Sequence, residues 1–143
     1  MSNTNISTQD LKEIIADGNA EILVNRADSF GRSLANGGLT KTQIRNIFGE
    51  VRKIEAQWSE PEKDAKDNVR RLLLLKPRMA YQAQREPKAE PLLSVLADAV
   101  SLVVGAKEAK IQHERFGYFV DLFEAILAYH TAQEGERRNR ARG

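Results

Sequence analysis

The sequence has no cysteine, and its 143 residues include one tryptophan, two histidines and four prolines. Without thiols there is no disulfide framework, thiolate nucleophile, zinc ribbon or iron–sulfur ligation. A reducing, cytoplasmic setting is the expectation. No apolar run approaches the roughly 20 residues that span a bilayer, and the opening "MSNTNISTQD" lacks the basic start and apolar centre of a secretory leader. An excess of charge of one sign is also missing. Lys and Arg total 22 against 20 Asp and Glu, a net charge of +2. So small an excess does not by itself argue for a polyanionic partner, and the placement of the charges has to carry that case.

What is present favours helix. A hydrophobic content of 41% with 29% charged residues is ordinary for a globular domain, and Leu, Ala, Glu, Lys, Arg and Gln all have high helix propensity. The expectation is an all-α, compact helical bundle of five to seven helices with no sheet. Residues 1–133 read as a single helical domain, and 134–143 as a basic, disordered tail after the break at Gly135. Helices are read at 8–17, 19–36, 40–58, 62–75, 77–86, 91–105 and 109–133. Asn36-Gly37-Gly38 supplies a helix stop and Thr40 a cap for the next start. Pro77 removes a backbone donor and disfavours helical angles at Lys76, so it reads as the end of one helix and the start of another.

Three apolar stripes recur at helical spacing: Leu23, Ala27, Phe30 and Leu34; Ile44, Ile47, Phe48, Val51, Ile54 and Trp58; and Phe116, Phe119, Val120, Phe123, Ile126 and Leu127. The segment "PLLSVLADAVSLVVG" at 91–105 is apolar nearly all round, sparing Ser94, Asp98 and Ser101, and reads as the central buried helix.

The search for catalysis returns nothing. His113-Glu114 begins like a zinc-protease motif, but Gly117 stands where the second histidine is required. His130 shares a side with Phe123, Ile126 and Leu127, as a hydrogen-bonded core histidine does. Glu60, Glu62, Asp64 and Asp67 suit a helix N-terminus, whose dipole they complement. No catalytic residue, metal ligand set or cofactor is assigned, and the chain is not read as an enzyme.

The informative stretch is "LKPRMAYQAQR" at 75–85. At about 100° per residue, Arg78, Tyr81, Gln82 and Arg85 share one side, while Met79, Ala80 and Ala83 share the other; Lys76 sits at the corner. A second rib, Lys41, Arg45 and Arg52, runs beside the apolar stripe of its own helix, with Lys53 extending it toward solvent. Cations that neutralise phosphates, with an aromatic that can stack on a base, describe sequence-tolerant binding of nucleic acid. A solvated, salt-bridged face accounts for either rib alone.

Three segments in order, "LTKTQIRNIFGEVRKIE" at 39–55, "LLLLKPRMAYQAQR" at 72–85 and "FVDLFEAILAYHTAQ" at 119–133, resemble the small subunit of the type III-A CRISPR effector, the Csm complex. The resemblance implies an all-helical, non-catalytic, RNA-binding subunit of a ribonucleoprotein used in antiviral defence. Such a subunit lines the filament beside the backbone subunits and stabilises target RNA paired with guide RNA. The implied partners are target and guide RNA, the backbone and large subunits, and further copies of the chain along the filament. The implied RNA-facing residues are Lys41, Arg45, Arg52, Lys53, Lys76, Arg78, Tyr81 and Arg85. Gln84 stands where the family often has Gly, and Thr131 where a basic residue is common. The competing expectation is a helical protein–protein adapter with no direct nucleic-acid contact.

Overall fold

The structure, a computed structural model, describes residues 5–142. It contains α1 (Thr8–Ile15), α2 (Ala20–Asn36), α3 (Lys41–Gln57), α4 (Ala65–Arg85), α5 (Glu90–Val104) and α6 (Ala109–Arg142), with one 3₁₀ turn at Pro87–Ala89. No strand occurs among the described residues.

Side-chain caps set the starts of the first three helices. Ser7 accepts from the Asp10 N–H and Asn19 from the Ile22 N–H, each at 3.1 Å. Thr40 and Gln43 form a reciprocal capping box at 3.1 and 3.0 Å. A cap of this kind is worth about 1 kcal/mol. The end of α2 is closed by Gly38, at φ 95°, where the Gly38 N–H donates to Ala35 O and the Leu39 N–H to Leu34 O. That double closure needs a residue in the left-handed region, which glycine occupies without a Cβ penalty.

The long α6 is the spine, packing against α1, α2, α3 and α5. Its Phe116, Phe119, Leu122, Phe123 and Ile126 are all buried. α3 runs antiparallel to it: Phe48 meets Phe123 edge-on at 4.9 Å, and Trp58 stacks on Phe116 at 5.3 Å. α2 runs parallel to α6, with Gly31 against Ile126 and His130. α5 is buried through Leu92, Leu93, Val95, Leu96, Ala99, Val100 and Val103, but it packs on α4, α6 and α1 rather than serving as the hub. Ser94, Asp98 and Ser101 are its exposed side, as the sequence pattern has it.

Two boundaries differ from the sequence reading. Pro77 does not end a helix: α4 is continuous through it. An interior proline costs about 3 kcal/mol, chiefly through the bond it cannot donate to the carbonyl four residues back. Here Pro77 and Leu73 both lie on the exposed side of α4, where water can reach the Leu73 carbonyl. The second difference is at the other end, where the stretch read as a disordered tail continues α6 to Arg142. Gly135 weakens a helix by about 1 kcal/mol relative to alanine without ending it. The added turns are tied down at their start, because Arg137 Nη1 donates to Ala35 O at 2.6 Å and Arg32 pairs with Glu136 at 3.3 Å.

Candidate nucleic-acid interface

Burial of Ile44, Ile47, Val51 and Ile54 fixes how α3 is rotated, and that rotation sends its cations to different neighbours. Arg52 turns toward α6. Its guanidinium lies 2.9 Å from Glu55 and 3.8 Å from Glu124, with its carbon 5.7 Å from the Phe48 ring centre. Beside Glu124, Asp121 has its carboxyl pushed above the usual range, by burial first and by the Glu124 charge second. Lys53 turns the other way, toward α4, and pairs with Glu50 at 3.5 Å. The second oxygen of Glu50 accepts from Arg78 of α4 at 3.4 Å. Lys41 is half-buried and Arg45 exposed. The rib Lys41–Arg45–Arg52 and the extension at Lys53 therefore do not form one surface.

On α4, Asn68, Leu72, Leu75 and Met79 are buried, which presents Arg78, Tyr81 and Arg85 to solvent. Tyr81 is 64% exposed, so it is a surface ring and not a packing residue. The Arg85 guanidinium lies over that ring at 5.8 Å and donates to the Tyr81 hydroxyl at 3.4 Å. Lys76 is apart from this group, because its ammonium donates to Ser101 Oγ of α5 at 2.5 Å. Gln84 is exposed within continuous helix, so no loop closes at that position.

Between α3 and α4 lies a cleft of about 270 Å³ lined by Glu50, Lys53, Gln57, Arg71, Leu74 and Arg78, among others. A smaller, more apolar cavity of about 150 Å³ continues it past Arg78 toward Gln82, with Val51, Met79 and Phe119 in its wall. Every ion pair along this cleft is exposed, and such pairs are worth about 0–1 kcal/mol.

Two residues of this face were not found from the sequence. Arg71, Arg78 and Arg85 stand seven apart and so share one side of a continuous helix. Treating Pro77 as a break hides that repeat. Glu50 carried no usable signal, since its role depends on α4 lying against α3.

The two histidines are structural. A carbonyl only accepts, so Nε2–H of His113 donates to Trp58 O at 2.9 Å and Nε2–H of His130 to Leu39 O at 2.6 Å. Each closes the end of a neighbouring segment against α6. Among the described residues no group of three or more His, Asp or Glu is placed to hold a metal ion, and no helix is long and apolar enough to cross a membrane.

The molecule is thus an all-α bundle in which exposed Lys53, Arg71 and Arg78 flank a cleft between two helices. The family model described as Csm2 Type III-A matches residues 17–136. The chain belongs to that family, the small subunit of the type III-A CRISPR effector, the Csm complex. The matched span takes in α2, where the sequence offered no motif of its own. Comparison with curated proteins and with solved structures gives no match.

Proposed function

We propose that this small subunit binds RNA directly. The exposed face of α4 and the adjoining rim of α3 hold target RNA paired with guide RNA, in the cytoplasm, as part of antiviral defence. It does so beside the backbone and large subunits and next to further copies of itself, as one helical domain with no catalytic role of its own. The observation that carries this reading is the juxtaposition of Arg71, Lys53 and Arg78 around one cleft, continued along α4 by the exposed Tyr81 and Arg85. Guanidinium groups bind phosphates in bidentate geometry, and an exposed ring offers a stacking platform to an unpaired base. Lys41, Arg45 and Arg52 belong to a separate, weaker contact on the far flank of α3. Lys76 is the least suited of the eight, because Ser101 already occupies it.

Leu73 and Leu74, 42% and 49% exposed on the same helix, favour the second reading, in which α4 docks on a protein subunit. Single-stranded RNA binding by the Tyr81→Ala variant separates the two. Loss of a stacking platform weakens binding by about 1–3 kcal/mol at high as well as low salt, with thermal unfolding unchanged. Unaltered RNA affinity in a well-folded variant would favour the adapter.

A further inference from the structure

Beyond the α4 face, the last two turns of α6 form a second cluster of cations. Arg137, Arg138, Arg140 and Arg142 fall within six residues of helix, after the residues that the family model matches. Arg138 and Arg142 are four apart and Arg137 and Arg140 three apart, so like charges sit side by side. Each such pair destabilises a helix by about 0.2–0.5 kcal/mol. One or two cations would suffice to complement the helix dipole; four do more than that.

Glu136 is engaged with the bundle: it pairs with Arg32, which also holds Asp28 at 2.7 Å. Glu134 turns toward buried His130, 3.9 Å away, without a hydrogen bond at Oε1. Arg137 is committed to Ala35 O. Arg138, Arg140 and Arg142 are exposed, with no ion pair among the described residues.

We infer that this helix end is a second nucleic-acid contact, a phosphate-backbone clamp made by Arg138, Arg140 and Arg142, distinct from the α4 face. An acidic protein would satisfy the same charges, but the composition of the segment favours phosphate. Protein interfaces are anchored by buried aromatic or aliphatic side chains, and residues 134–142 contain no apolar side chain larger than alanine. A phosphate backbone needs only charge and bidentate donors. Arg138 and Arg142, four apart, share one side of the helix and Arg140 takes the opposite one, a spread that suits successive phosphates of a flexible strand better than one compact anion.

The test uses the full chain carrying Arg138→Ala, Arg140→Ala and Arg142→Ala together, with single-stranded RNA of mixed sequence as the probe and salt varied from 50 to 200 mM. With about 0.7 in slope lost per released phosphate contact, this fourfold rise in salt costs the parent protein about 20-fold more affinity than it costs the variant. The thermal midpoint stays within a degree or so. The same change made on top of Arg78→Ala and Arg85→Ala lowers affinity further, which keeps this clamp distinguishable from the α4 face. An unchanged salt slope would overturn the clamp. So would a poly-glutamate peptide that binds the parent as tightly as RNA does and loses as much on substitution, since that result reads negative charge on a polypeptide rather than phosphate.

Discussion

The seam between α2 and α6 and the seam between α3 and α4 are built on opposite terms. At the first, a Cβ added to Gly31 would stand 2.6 Å from Ile126 O and 3.0 Å from the His130 backbone nitrogen, so the two helices approach as closely as backbone permits. Three polar side chains are bonded across the seam: Arg32 to Gln133 at 3.0 Å, and Gln133 to Asn36 at 3.1 Å. At the second, the helices part around a cleft lined by Glu50, Lys53, Arg71 and Arg78 among others, and the bridge is one carboxylate, Glu50, between two exposed cations. Close packing with bonded polar groups fixes a fold. Loose packing with weakly held, exposed charge leaves a surface free to engage something else. The first seam is architecture, and the second is where a ligand has room.

The largest effect expected from breaking this contrast is at Gly31. Gly31→Val drives a side chain into backbone atoms that cannot yield, and should cost roughly 3 kcal/mol or more, seen as a fall of several degrees in the thermal midpoint. Gly49→Ala, at an open position of α3 where an added Cβ meets nothing within 4 Å, should do the reverse, raising stability by about 0.5–1 kcal/mol through helix propensity alone. Equal responses at the two glycines would contradict the close approach of α2 and α6.

Next in size is His130→Phe, which keeps the bulk but removes the donor to Leu39 O. A buried carbonyl left without a partner costs about 1–3 kcal/mol, measurable by chemical denaturation. Glu50→Gln acts on the other seam and should leave stability within about 1 kcal/mol. Because it frees Lys53 and Arg78, it should raise RNA affinity several-fold at low salt, and titration calorimetry would register the gain.

The smallest effect concerns Asp121. Burial and Glu124 raise its carboxyl above the ordinary range, so the folded state holds that proton more tightly than the unfolded chain. The resulting stability is present below the ordinary carboxylate pKa and is lost as pH rises through the raised value. Asp121→Asn should therefore match the parent at acidic pH and exceed it at pH 7 by about 0.5 kcal/mol or less, as unfolding at the two pH values would reveal.

Much of this was legible in the sequence. The stripes on α3 and α6 named the core because burial imposes a 3.6-residue period on apolar side chains. The cap at Thr40 and the stop at Gly37-Gly38 were readable because local backbone geometry dictates their chemistry. Pro77 was misread because a proline rule is local, whereas the position is settled by which side of α4 faces water. The continuation of α6 past Gly135 was missed for a related reason: Arg137 and Glu136 gain partners on α2 that no local pattern announces. The split of the α3 cations also lay outside the pattern. A helical wheel sets Arg52 and Lys53 about 100° apart but cannot say that α6 lies beside one and α4 beside the other.

The most direct test of the contrast removes guanidiniums from each seam and follows both thermal unfolding and the salt dependence of single-stranded RNA binding. Arg78→Ala with Arg85→Ala should leave the midpoint in place while the slope of log affinity against log salt falls by roughly 1.4, two phosphates at about 0.7 each. Arg32→Ala, which strips partners from Gln133, Asp28 and Glu136, should lower the midpoint by about 1–2 kcal/mol of stability and leave the slope alone. Parental slope and affinity in a well-folded Arg78/Arg85 double variant would contradict the assignment of the α3–α4 seam as the RNA-binding face.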